Sequence, residues 1–140
     1  MRRKTPPVTQ AEYETLADFR YALRQFLRFS ENAAESAGVT PQQHQALLAI
    51  RGFAAGGITI SDLAERLQVR HHSAVGLVDR LVKQDLVKRK QDRNDRRTIH
   101  LALTTRGQKV LEKLSAAHRE QIRKFMPRLS GALGRLGGTA

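Results

Sequence analysis

The segment from Thr59 to Leu103 constrains this chain more than any other. Thr59 followed three residues later by Asp62 opens a helix whose buried side is Leu63, Ala64 and Leu67. After Gln68-Val69 a second helix is expected from His71 to about Gln84, with Ala74, Val78 and Leu81 at i, i+4 and i+7. A strand over residues 86–90 then leads to the polar tip Asp92-Arg93-Asn94-Asp95-Arg96-Arg97. The return strand covers residues 98–103, where Ile99, Leu101 and Leu103 alternate with Thr98, His100 and Ala102. A period of two means a strand with one buried side.

Two helices at a tight turn followed by a hairpin is the layout of a winged helix-turn-helix. Such a unit sets its second helix in the DNA major groove with the hairpin beside it. The side of that helix opposite its buried residues presents His71, His72, Ser73, Gly76 and Arg80, with Val75 near the border. Small and polar groups at a helix N-terminal end suit a groove, and Val75 suits a thymine methyl. We expect base readout from His71, His72 and Ser73, while Arg80 holds a phosphate and so fixes register. From Lys88 to Arg97 there are six cations (Lys88, Arg89, Lys90, Arg93, Arg96, Arg97) against the acids Asp92 and Asp95. An ordinary hairpin turn needs no such excess. A wing that meets phosphates or a narrow minor groove does. Arg93 is expected near the minor groove and Arg96 on the backbone.

The bulk composition agrees. Lys and Arg number 25 against 13 Asp and Glu, a formal charge of +12, which favours polyanionic partners, with nucleic acid first and an anionic membrane surface second. The basic residues gather on the wing and not on one amphipathic helix, which argues against the membrane. No Cys is present, which excludes disulfides, thiolate zinc sites and a cysteine redox switch. Adjacent His71 and His72 point about 100° apart on a helix and do not make a metal site. No nucleophile–base pair, phosphate-binding glycine loop or ligand cluster is recognisable, so no enzyme activity, metal or cofactor is expected. No apolar run approaches the roughly 18 residues of a membrane span, and the basic N-terminus has no apolar stretch behind it. The chain reads as soluble and cytoplasmic.

The flanks read as helices. Residues 1–8, with Arg2-Arg3-Lys4 and Pro6-Pro7, are expected to be a mobile arm. Thr9 and Glu12 have capping-box spacing, and Leu16, Phe19, Leu23, Phe26 and Leu27 recur at helical intervals until Gly38. Thr40-Pro41-Gln42-Gln43 starts a second helix with Leu47, Leu48 and Ile50 on its apolar side, and Ala54-Ala55-Gly56-Gly57 ends it. Thr104 caps a helix through Val110, Leu111, Leu114, Ile122 and Phe125. Pro127 is expected to break it, leaving a short helix with Leu129, Leu133 and Leu136. Long single-striped helices in a chain of 140 residues need a partner, which points to a homodimer. The expected architecture is one mainly helical domain. Residues 9–37 and 105–136 are its dimerisation helices, and residues 41–103 form a winged helix-turn-helix lobe with a small β-hairpin.

This order resembles the MarR family of bacterial transcription regulators over roughly residues 10 to 136. The matches are Asp62-Leu63-Ala64-Glu65-Arg66-Leu67, Leu77-Val78-Asp79-Arg80-Leu81, and Asp92-x-x-Asp95-x-Arg97 followed by Leu103-Thr104-x-x-Gly107. The resemblance implies a homodimer with intertwined first and last helices, two winged units on halves of a palindromic double-stranded operator, and usually repression. It also implies that Asp95 and Arg97 pair to brace the wing, with Arg97 beside the other DNA-facing cations. A small aromatic or phenolic effector would sit near Phe26, Phe29, His44, Arg51 and His118. The chain departs from the pattern in three places. Arg70 stands where Ser or Thr usually caps the recognition helix, Gly76 where a longer polar residue is common, and Asp85 where Gly often ends that helix. The competing reading is a non-specific nucleoid-type or RNA-binding winged helix without an effector.

Overall fold

The computed structural model describes residues 4–54 and 56–137. Of the expected N-terminal arm, residues 1–3 lie outside the described residues, as do Ala55 of the glycine loop and Gly138 at the C-terminus. The elements are α1 (Gln10–Ser36), α2 (Pro41–Arg51), α3 (Ile60–Leu67), α4 (His71–Lys83), β1 (Val87–Gln91), β2 (Ile99–Leu103) and α5 (Thr105–Gly137). The fold is a winged helix-turn-helix, mainly helical with one two-stranded antiparallel hairpin.

Helix starts follow a local code. Thr9 and Glu12 exchange backbone-to-side-chain hydrogen bonds of 3.0 and 3.1 Å. Thr40 with Gln43 and Thr59 with Asp62 repeat this reciprocal box ahead of α2 and α3. Thr104 starts α5 by accepting the Gly107 N–H at 3.0 Å while its hydroxyl donates to the Asp85 carbonyl at 2.6 Å. Helix ends follow another code. Gly38, Gln68 and Asp85 take positive φ, and the next residue donates back to a carbonyl five positions earlier: Val39 to Ala34, Val69 to Ala64, Leu86 to Leu81.

The chain divides into two compact units, residues 31–116 and residues 1–30 with 117–140. The expected boundaries lay at helix ends; the observed ones fall inside α1 and α5. Burial explains this, because Ala34 of α1 and Leu111 and Leu114 of α5 belong to the same core as Leu47, Leu63 and Leu81. The hairpin closes that core with Val87 paired to Leu103 and Gln91 to Ile99. Ile58 adds a bridge to the hairpin: its carbonyl accepts the Leu101 N–H at 2.8 Å, and its side chain is buried.

Three apolar patterns differ from expectation. On α2 the buried side is Ala46, Leu47 and Ile50, while Leu48 is 45% exposed. On β2 only Leu101 is fully buried; Leu103 packs at the margin and Ile99, at the tip end, is 44% exposed. Alternation holds there, but the core does not extend beneath the wing tip. Finally, α5 runs unbroken through Pro127. Proline costs about 3 kcal/mol in a helix interior. Packing within the unit of residues 1–30 and 117–140 offsets it: Phe125 lies 5.6 Å from the Phe26 ring, Arg128 donates to Gln25, and Ala132 is buried.

In that unit the buried line of α1 is Thr15, Ala22 and Ser30, with Phe19, Phe26 and Phe29 half-buried beside it. The expected single stripe is therefore two faces. Leu16 and Leu27 of α1, with Tyr13 and Tyr21, are exposed, as are Ile122, Met126 and Leu133 of α5.

Candidate nucleic-acid interface

Helix α4 separates its sides cleanly. Ala74, Leu77, Val78 and Leu81 are buried, Val75 and Gly76 are half-buried, and His71, His72, Ser73 and Arg80 are exposed. Its N-cap is Arg70, extended at φ −70° and ψ 153°, and no side chain caps the first turn. That leaves first-turn N–H groups pointing outward at the positive end of the helix dipole. A Cβ on Gly76 would meet only the Arg80 Nη1, at 3.6 Å, so the guanidinium lies over the space that Gly76 leaves open.

The wing tip is shaped by two aspartates. Asp95 accepts the Arg97 N–H at 3.0 Å and the Thr98 hydroxyl at 3.2 Å, while the Arg97 guanidinium reaches it only at 3.4 Å. The Arg97 side chain is 94% exposed, so Asp95 braces the turn chiefly through backbone and Thr98, and the ion pair adds little. Asp92 accepts the Asn94 N–H at 2.7 Å and bonds His100 Nε2 at 2.8 Å. The His100 hydrogen bond, then the Asn94 N–H, hold the Asp92 carboxyl below its ordinary value. Asp62 is likewise lowered, first by the Thr59 N–H and then by the Thr59 hydroxyl.

Not every wing cation is available. Arg89 pairs with Asp79, which ties β1 to α4. Lys88, Lys90, Arg93 and Arg96 are exposed. Sequence reasoning counted Arg89 with the rest, because a partner ten residues away in another element leaves no local trace. His100, Ile58 and Gly57 were missed for the same reason. The signal within reach was the pair Gly56-Gly57, which marks a backbone passing close to something.

The expected effector residues fall in different places. Phe26, Phe29 and His118 stand together in the unit of residues 1–30 and 117–140. The two phenyl rings meet the imidazole edge-on at 6.0 and 5.2 Å, and His118 Nε2 bonds Ser30 Oγ at 2.8 Å. A hollow of about 280 Å³ in the same unit is lined elsewhere, by Asp18, Phe19, Pro127, Arg128 and Arg135 among others. In the unit of residues 31–116, His44 is only 2% exposed, so as a core residue it offers no surface to a ligand, contrary to expectation. Arg51 is exposed and donates from Nε to Gln108 at 3.1 Å. Among the described residues no group of three His, Cys, Asp or Glu could hold a metal, and no helix is long and apolar enough to cross a membrane.

Comparison with known proteins adds an independent line. The model of the MarR family matches residues 37–98. The HTH-type transcriptional repressor MdtR of Bacillus subtilis is 30% identical over 92 residues, which is 66% of this chain. The match spans 58% of the length of MdtR. The uncharacterised HTH-type regulator YsmB of the same organism is 24% identical over 83% of this chain and 81% of its own length. Among solved structures, AbsC of Streptomyces coelicolor superposes with a TM-score of 0.71 at 20% identity, covering 95% of this chain and 96% of its own. The Staphylococcus aureus MepR–DNA complex superposes with a TM-score of 0.66 at 22% identity, covering 87% and 85%.

Proposed function

We propose that the chain is a MarR-type winged helix-turn-helix regulator, on the match of that family's model to residues 37–98 and the similarity to MdtR, and that it binds double-stranded DNA sequence-specifically to regulate transcription. The observation that carries this reading is the exposed polar end of α4, tied through Asp79–Arg89 to a cationic wing. His71, His72 and Ser73 read base edges, and the uncapped first turn at Arg70 and Arg80 hold phosphates. Arg93 and Arg96 reach from the wing, with Arg97 beside them. Gly76 adds no side chain of its own and lets Arg80 lie flat.

The finer reading is a homodimeric repressor acting in the cytoplasm on a palindromic operator. The exposed apolar residues of α1 and α5 support the dimer, and the similarity to the repressor MdtR supports repression. Two copies would engage half-sites about one helical turn apart, roughly 10 base pairs centre to centre. Release by a small aromatic or phenolic ligand extends the same reading. Phe26, Phe29 and His118 are its best-supported contacts, since they already stand together, and Arg51 remains the proposed partner for a carboxylate. No catalytic residue, metal or cofactor enters the proposal.

Selection of bound duplexes from random DNA, followed by fluorescence anisotropy at two salt concentrations, tests it. The expected result is an enriched palindrome whose affinity advantage over random DNA survives at the higher salt. Flat binding driven by salt alone would replace this reading with a nucleoid-type or RNA-binding winged helix.

A further inference from the structure

We infer that His100 is a positioning residue for DNA binding: it is a strut that fixes the wing tip, and with it Arg93 and Arg96, against the loop that enters α3. The inference rests on the wing reading above. Beyond the last strand pair, Gln91 with Ile99, the tip projects from a two-stranded hairpin, an element with little stability of its own. A cation on a loose tip must be ordered at the moment it meets a phosphate, and that ordering weakens the contact.

Asp95 and Gln91 brace the Arg96 side of the tip, and Asp92 ties the tip to the rest of the lobe. One carboxylate oxygen accepts the Asn94 N–H at 2.7 Å and so shapes the turn containing Arg93; the other bonds His100 Nε2 at 2.8 Å. An ionised carboxylate only accepts, so Nε2 carries the hydrogen. The ring is fixed from behind. A Cβ on Gly57 would lie 2.8 Å from His100 Cγ and 2.9 Å from Nδ1, so the imidazole fills the room a side chain there would need. Gly57 also sits at φ +111°, open only to glycine. The next residue, Ile58, bonds Leu101, and Thr59 after it caps α3. A continuous set of contacts therefore runs from α3 through Gly57 and Ile58 to His100, Asp92 and the turn of Arg93.

The other nitrogen of the ring argues the same way. Among the described residues His100 Nδ1 is buried without a hydrogen-bond partner, a cost that an aliphatic residue at this strand position would avoid. The bond from Nε2 to Asp92 explains why an imidazole is there at all. Lys90 is its cross-strand partner.

The test uses the full chain and a fluorescein-labelled duplex selected for binding from a random pool. His100→Leu is expected to weaken binding about tenfold, the scale of one charge-assisted contact. His100→Gln, which can still donate to Asp92, should recover most of the loss. In an Arg93→Ala/Arg96→Ala background, His100→Leu should add nothing, because the strut acts through those two cations. Asp92→Ala cuts the same bond from the other side and carries the same expectations, so a misfolded His100→Leu does not stop the test. The strut is overturned if either cut leaves affinity unchanged, if Gln does no better than Leu, or if the loss adds in full to that of the arginine variants. If Arg93→Ala/Arg96→Ala itself leaves binding intact, the wing reading fails and takes the strut with it.

Discussion

The two units bury different things. The unit of residues 31–116 closes around Leu47, Ile58, Leu63, Leu77 and Leu81, all essentially inaccessible, with contributions from five helices and the hairpin. The unit of residues 1–30 and 117–140 centres on Thr15, Ala22, Ser30 and Ala132, small or polar groups, and leaves Tyr13, Leu16, Leu27, Met126 and Leu133 exposed. The first is a finished core. The second keeps its phenylalanines half-buried but also turns several large apolar side chains outward, a surface that suits a partner. The proposed DNA-contacting residues thus sit on the self-sufficient unit, and the unit with apolar surface left over is the one suited to the proposed second copy.

Substitutions can break that contrast. The largest effect should come from Gly107→Ala. A Cβ there would lie 2.0 Å from the Leu86 carbonyl oxygen, a backbone atom between α4 and β1 that cannot step aside. We expect a loss of about 4 kcal/mol or more, at the high end for single substitutions, seen as a collapse of the thermal melt followed by circular dichroism. A variant that melts normally would mean that α5 can back away from the hairpin, and that the core is less closed than described.

Leu27→Asp with Leu133→Asp should do the reverse. Both side chains are about half exposed, at 47% and 53%, so the isolated subunit loses little packing. The expected outcome is a shift in light scattering from dimer to monomer, with helical content retained and DNA affinity sharply reduced. An unchanged mass would remove this apolar face from the interface.

Two smaller effects sharpen the picture of the unit of residues 31–116. Asp85 ends α4 at φ +57°, where an L-residue is strained by about 1 kcal/mol. Asp85→Gly should therefore raise stability by up to that amount in chemical denaturation, the Thr104 bond to its carbonyl being kept. Acid should act on the caps. Asp62 and Asp92 have folded-state values below the ordinary 3.8, so their contribution is present above that pH and is lost as pH falls through the lowered values. The amide signals of Thr59 and Asn94, which donate to these carboxylates, should move together in that acidic window and stay constant above it.

What was legible in the sequence was local. Thr9 with Glu12, Thr40 with Gln43 and Thr59 with Asp62 announce helix starts because both partners lie within one turn. Ala74, Val78 and Leu81 announce the buried side of α4 for the same reason, and that leaves its outer residues by subtraction. The tip aspartates were visible as a pattern, though Asp95 works mainly on backbone and not on Arg97. The illegible parts are pairings across distance. Nothing near Ile58 says that it joins Leu101, nothing near Arg89 points to Asp79, and His100 reads as the polar alternate of a strand. Pro127 misled in the opposite direction, because a strong local signal was overruled by packing that the local sequence does not contain.

Gly76 and Gly107 look alike in the sequence and have opposite histories open to them. At Gly107 the backbone of Leu86 forbids any side chain, so drift there is closed. At Gly76 a side chain would meet only the movable end of Arg80. A single codon change at that site can therefore alter the outer face of α4 while the fold registers almost nothing. If α4 reads DNA as proposed, Gly76 is where a duplicated copy can part from its parent's target sequence first.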